Sequence, residues 1–310
     1  MPKQDGRSAR LYCLIARKAR LAAVIRRGPS NHVMLSKWDL AKDHFEDGQW
    51  FKGRIYERRC DISPDGEYII YFGGNQKPPY GTWTAISSVP WFTAHVLWSE
   101  GDTWGGGGLF ALSKCVAINS ASHNLKPTLG HMPHRWPKVI SVSDYRNFDR
   151  PMHIEDIRME RDGWVLEQDK KWSLNDAWWQ DKSERYRFTT ERPEIWRKQS
   201  KAGMVLRFIQ AEAGERDGRW HVCSGHLTFA DGSELDLGDI DWVDFDHNGD
   251  VLYAFNGALF RRGKNGVGDA RLVRDLNDLK FEARIAPYDT RHQRRERDKA
   301  RPWHPLDGQD

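Results

Sequence analysis

The chain has 310 residues, of which 39% are hydrophobic, 30% charged and 12% aromatic. That is enough apolar side chain for one or two cores, and it excludes a disordered, collagenous or coiled-coil protein. Net charge is +4, yet residues 1–27 hold eight Lys/Arg against Asp5 alone, so a cationic end precedes a slightly acidic remainder.

In chain order, Leu11–Ala16 and Leu21–Ile25 are apolar runs on either side of Arg17-Lys18-Ala19-Arg20, the pattern of two strands and a turn. The first run is too short, and too closely followed by Arg and Lys, for a membrane span or a secretory core, so a soluble protein with no membrane partner is expected. His32–Trp38 continues as a strand after Gly28-Pro29. Cys60–Ile62, Ser63-Pro64-Asp65-Gly66 and Tyr68–Phe72 read as strand, tight turn, strand, and Trp83–Ser87 and Thr93–Trp98 follow. Asn119–Arg150, with three prolines and several histidines, reads as a long loop. Ser173–Arg187 reads as a short helix with Ser173 as its N-cap. Met204–Ile209, Trp220–Cys223, Leu227–Phe229, Ile240–Phe245, Val251–Phe255, Ala258–Arg261 and Arg271–Leu276 complete the strands. From Asp289 the chain is polar and arginine-rich, so residues 289–310 are expected to be a basic, mobile tail. Short strands between Gly, Asp, Asn and Pro signals make an all-β protein.

A repeat lies inside this pattern. Asp61-Ile62-Ser63-Pro64-Asp65-Gly66-Glu67 and Asp244-Phe245-Asp246-His247-Asn248-Gly249-Asp250 each precede four or more apolar residues, and Arg158–Leu166 is a weaker copy. Asp/Asn-Gly supplies the positive-φ residue of a hairpin, and apolar residues on both sides face neighbouring layers. Ser63-Pro64-Asp65-Gly66 with Tyr68–Phe72 resembles the strand–turn–strand unit of WD40 and TolB-like β-propellers. The resemblance covers about 50–110 and 203–285 and is weak over 119–200; Gly225-His226 and the reversed dipeptide Asp241-Trp242 depart from the WD40 signature. It implies a degenerate single propeller over 1–288, of about five four-stranded blades, with six as the other count, and with irregular insertions. The first two strands are expected to close the ring beside the strands of 251–276.

Chemistry is sparse. His131-Met132-Pro133-His134 has metal-pair spacing, but a Pro-rich loop offers no frame for three or four ligands. Trp104-Gly105-Gly106-Gly107-Gly108 lacks the Lys-Ser/Thr of a phosphate loop and suits close backbone or aromatic packing. Asp244, Asp246 and Asn248 resemble the start of a calcium loop, but no Glu stands at its end. No Gly-x-Ser-x-Gly elbow occurs. The chain therefore reads as a non-enzyme with no metal or cofactor. Cys13, Cys60, Cys115 and Cys223 are far apart and flanked by apolar residues, which suits buried thiols and a cytoplasmic protein.

Tryptophan carries the functional expectation, with 15 in the chain. Trp38, Trp83, Trp98, Trp220 and Trp242 fall in strands and should pack in the core. Trp91, Trp136, Trp172, Trp178, Trp179 and Trp196 fall among Lys, Arg and Pro outside the predicted strands, the composition of interaction hot spots. The predicted partner site is Trp172, Trp178, Trp179, Arg185 and Tyr186. The predicted basic patch is Arg17, Lys18, Arg20, Arg26 and Arg27, which gives the alternative of a nucleic-acid accessory. The leading expectation is a propeller scaffold or regulatory subunit that binds a protein. A likeness in general character, carried by no motif, extends to propellers that accompany bacterial defence and signalling enzymes. A propeller hydrolase or lyase with acids at the channel mouth is the remaining alternative.

Overall fold

The computed structural model describes residues 8–28, 31–111, 114–120, 125–145, 153–174, 188–212, 220–264 and 268–289. The chain is all-β. Strands β1 (Arg10–Ile15), β2 (Leu21–Arg27), β3 (His32–Asp39) and β4 (His44–Lys52) form an antiparallel meander in that order. The run Ala22–Ile25 is buried on every residue, because neighbours cover both faces of the strand; a strand covered on both sides is written as a continuous apolar run. The second sheet takes β5 (Arg54–Ile55), β6 (Asp61–Ile62), β7 (Tyr68–Gly74), β8 (Thr82–Ser88) and β9 (Ala94–Ser99). Strands β10 (Gly108–Phe110) and β11 (Cys115–Ile118) begin the third sheet; β12 (Leu129–Gly130) returns to pair with β9, and β13 (Lys138–Ser141) runs parallel to β11. Helices α1 (Val142–Tyr145) and α2 (Ile154–Arg161) follow.

After them β14 (Val165–Gln168), β15 (Lys171–Leu174), β16 (Phe188–Arg192), β17 (Glu194–Gln199), β18 (Val205–Glu212), β19 (His221–Thr228) and β20 (Glu234–Asp239) make a five-stranded sheet, β14-β17-β18-β19-β20, and a separate β15-β16 pair. Strands β21 (Trp242–Phe245), β22 (Val251–Phe255), β23 (Ala258–Arg262) and β24 (Arg271–Asp275) form a last meander. Two compact units divide the chain, residues 1–11 with 159–277 and residues 12–158 with 278–310. The core of the former joins Trp196, Leu206, Phe208 and Leu227 to Val243 and Val251. In the latter, Ile70, Ile86 and Trp98 pack with Phe110, Val116 and Trp136.

Both Asp/Asn-Gly turns of the repeat are hairpins. Gly66 (φ +78°) and Gly249 (φ +88°) lie in the left-handed region. Gly66 N donates to Ser63 O at 2.9 Å and Gly249 N to Asp246 O at 3.0 Å. Ile62 pairs with Ile69 but Phe245 with Val251, so the first loop is one residue longer than the second.

Four expectations are corrected. The weaker repeat at Arg158–Leu166 is helix, turn and strand: Ile154 and Ile157 share one buried face of α2 and Met159 is buried on another, and the helix ends before Gly163 (φ +91°). Asn119–Arg150 is not one loop but contains β12, β13 and α1, strands too short to register as periodicity. Ser173 pairs with Thr189 inside β15 rather than standing at a helix start, and residues 175–187, the rest of the expected helix, lie outside the described residues. Among the described residues the first strands pair in no sheet with the last: β1 and β2 belong to β1-β2-β3-β4, and β21–β24 pair among themselves. The N-terminal link to the last strands is by side chains, with Ala9 N donating to Asn277 Oδ1 at 2.9 Å and Leu11 N to Asp241 Oδ2 at 3.3 Å.

Candidate functional site

The densest polar constellation grows from one turn. Glu57–Arg59 is a single turn of 3-10 helix between β5 and β6. At three residues per turn, consecutive side chains leave about 120° apart, so three neighbours in sequence serve three separate surroundings. Glu57 pairs with Arg27. Burial alone would push the Glu57 carboxyl up, but the Arg27 guanidinium carries it below the usual carboxylate range. Arg58 Nη1 donates to both oxygens of Glu155 on α2, at 2.8 and 2.7 Å. Arg59 Nη1 donates to Thr103 O at 2.8 Å and Gly105 O at 2.7 Å, while its guanidinium lies 5.2 Å from the Phe72 ring centre.

Around Glu155 the network closes. Tyr12 Oη donates to Glu155 Oε1 at 2.9 Å, and Arg158 donates to Tyr12 Oη and to Cys60 O. Glu155 and Arg158 are buried, with exposures of 9% and 6%. One carboxylate thus answers two guanidiniums and a phenol, an arrangement that locks α2 onto β1 and the 3-10 turn. Within it, burial holds the Tyr12 phenol well above its usual range and pushes the Cys60 thiol up to about 12. All four cysteines are buried thiols. Among the described residues no group of three or more His, Cys, Asp or Glu is arranged to hold a metal ion.

The glycine run is packed as the sequence reading expected. A Cβ on Gly106 would stand 2.2 Å from the Phe72 ring, and one on Gly107 2.3 Å from Arg59 O. Gly107 N donates to Thr84 Oγ1 at 2.8 Å, and Thr84 Oγ1 donates to Glu100 Oε1 at 2.7 Å. Burial pushes the Glu100 carboxyl up. At the head of this braced loop Trp104 is 88% exposed. In the sequence the signal for this exposed ring is an indole beside four glycines with no periodic apolar partner.

Of the predicted partner-site residues, Trp172 alone is among the described ones. Trp172 lies in β15, 49% exposed, with the Lys170 ammonium 5.5 Å from its ring centre; Lys170 also pairs with Glu212 at 3.0 Å. Trp178, Trp179, Arg185 and Tyr186 lie outside the described residues. Trp196 and Trp136 are not surface residues: Trp196 is fully buried on β17 with Nε1 donating to Glu194 Oε2 at 2.9 Å, and Trp136 is 6% exposed against Phe110. Trp220, expected in the core, is 38% exposed. Nor do the N-terminal cations make one patch. Arg17 donates to Phe110 O and Arg20 to Leu40 O at one end of β2. Arg26 is buried over Trp50 and Arg27 is paired with Glu57 at the other, about 20 Å away along the strand. Lys18 sits in the turn beside Arg17, where its backbone N–H donates to Pro64 O.

No family model matches the chain, and no curated protein matches it. Among solved structures, an uncharacterized protein from Listeria monocytogenes aligns at 10% identity over 87% of this chain and 84% of its own, with a TM-score of 0.27. A score that low carries no argument about fold or function.

Proposed function

We propose that this protein is a non-catalytic, five-bladed β-propeller that docks a protein partner. Among the described residues, five sheets of three or more strands follow one another along the chain, mostly as meanders, in keeping with a blade count of five. The single observation that carries the docking reading is Trp172: a half-exposed indole on a two-stranded pair, with a lysine ammonium over its ring. Large aromatics next to cations are where binding energy concentrates in interfaces. The buried thiols suit a reducing compartment, and we place the protein in the cytoplasm. The test compares affinity purification from the native host with the parent chain and with Trp172→Ala. A protein retained by the parent and lost by a variant that melts at the same temperature supports the reading. An identical set of retained proteins sinks it.

A further inference from the structure

We propose that residues 278–289 are a strap that opens in mild acid, with His32 and His95 as its two sensors, independently of the protein-docking reading. The segment follows β24 and belongs to no sheet, so among the described residues no ladder of backbone hydrogen bonds holds it. Three anchorages hold it instead. Phe281 packs on His32 with ring centres 4.8 Å apart and on Trp50 at 6.3 Å. Arg284 donates to Asp47 O, and its carbonyl accepts Gln49 Nε2 at 3.0 Å. Tyr288 stacks on His95 with ring centres 4.3 Å apart; its Oη donates to Thr93 O at 2.7 Å and accepts Ser88 N at 3.2 Å. Ala286 is the one buried residue of the segment, while Phe281 is 42% and Ile285 57% exposed. A segment with so little buried apolar surface and no ladder opens at a lower free energy than the sheets beneath it.

Each end of the strap thus rests on an imidazole, the side chain that changes charge between about pH 5 and 8. What faces each ring sets the direction of the response. Around His32 stand Phe281 of the strap and Trp50 and Lys52 of β4, Lys52 being its partner in the β3–β4 register. The Arg26 guanidinium of β2 lies 5.3 Å from the same Trp50 ring centre. Around His95 stand Tyr288, Tyr68 of β7 at 5.8 Å, and Ser88 of β8, whose Oγ is 2.8 Å from Nε2. The strap's own charges at these two points are Lys280 and Glu282 beside Phe281, with Glu282 engaged by Arg284 at 2.7 Å, and Asp289 beside Tyr288. Burial holds both imidazoles below their ordinary 6.5, and Lys52 adds to it at His32. Opening returns water to both rings, so protonation favours the open strap. Below pH 6.5 the closing equilibrium weakens by up to about tenfold per pH unit for each histidine, until the docked ring itself takes up the proton.

The test uses the full chain labelled with 3-fluorotyrosine, three fluorine signals being assigned by their loss in Tyr288→Phe, Tyr12→Phe and Tyr71→Phe. Between about pH 7 and 5 the Tyr288 signal should move towards that of an exposed tyrosine, while the signals of the buried Tyr12 and Tyr71 stay. The movement should disappear in the double variant His32→Asn, His95→Asn, wherever the signal rests in that variant. Coupling must run both ways, so the His95 ring, followed by proton–carbon NMR, should titrate at higher pH in Tyr288→Ala than in the parent. A Tyr288 signal that is unmoved, or that moves only together with Tyr12 and Tyr71, overturns the proposal, as does a movement that survives the loss of both imidazoles. A His95 titration that is unchanged or lower in Tyr288→Ala shows that the stacked phenol does not oppose the proton, and overturns it as well.

Discussion

At the scale of single residues, the charges of this protein are used inward. Arg58, Glu155, Arg158 and Tyr12 form a buried network whose members answer one another, so removing one leaves the others stranded. Breaking a buried pair by truncating one partner typically costs about 3–5 kcal/mol. Arg58→Met and Glu155→Leu should each lower the urea midpoint strongly. The double variant should be less destabilised than the sum by at least about 1 kcal/mol, because the pair is in direct contact. Additive losses in the cycle would mean that the contact does not couple them. Glu57 gives a pH test. Its carboxyl is lower in the folded chain than its ordinary 4.5, so its pairing with Arg27 stabilises the fold above about pH 4.5 and is lost as pH falls further. Glu57→Gln should flatten that acid limb while lowering stability at neutral pH. A parent and variant with parallel stability curves from pH 7 to 3 would exclude this role.

Among the turns and strands, two glycines of one loop separate space from backbone conformation. Gly101 (φ +79°) has nothing within 4 Å of an added Cβ, whereas Gly106 (φ +96°) has the Phe72 ring at 2.2 Å. Gly101→Ala should cost about 1–2 kcal/mol, the strain of a left-handed conformation alone. Gly106→Ala should cost clearly more, since Phe72 is itself buried and cannot withdraw without opening the core. Thermal melts of the two variants decide it, and equal shifts would show that the ring gives way freely. The hairpin turns behave likewise. Asp246 Oδ1 accepts Asn248 N at 2.7 Å and Asp250 N at 3.0 Å, and Oδ2 meets Arg261 at 2.5 Å. Of the acids that mimic a calcium loop in sequence, Asp246 is spent on the turn and Arg261, and Asp244 on Lys198 at 2.6 Å, so calcium should leave the melting temperature unchanged, and a rise on adding it would reopen that reading.

For the whole molecule, the expectation concerns sheet edges. Residues up to 27 supply two of the four strands of the first sheet. Deleting 1–27 uncovers the edge of β3 along the register Leu21–Arg27 against Val33–Asp39, where Val33, Met34 and Leu35 are buried. An uncovered apolar edge is a template for aggregation, so the truncated chain should be insoluble or associate on refolding. A soluble truncated form that melts at the parent temperature would make this segment an appendage. Far-UV circular dichroism of the parent should be dominated by strand, with helix limited to segments such as Ile154–Arg161.

The amino-acid sequence alone determined the class of architecture and the local turns. Runs such as Leu21–Ile25 and Tyr68–Phe72 read as strands covered on both faces, and the Asp-Gly and Asn-Gly of the two closer repeats as tight turns. These are properties of neighbours in the chain. Helix α2 was hidden because Gly163 and the apolar residues after it imitate the hairpin repeat, and β12 and β13 because two to four residues are too few to show a period. The candidate sites depended on tertiary structure. Nothing in Glu57-Arg58-Arg59 says that the three residues meet Arg27, Glu155 and the Thr103–Gly105 carbonyls, since partners tens of residues away are chosen by how strands stack. Trp196 and Trp104 make the same point from opposite sides. Both stand beside polar or glycine residues in the chain, yet one is fully buried and the other almost fully exposed. Burial is decided by what the rest of the fold brings over a side chain, and that information is not local.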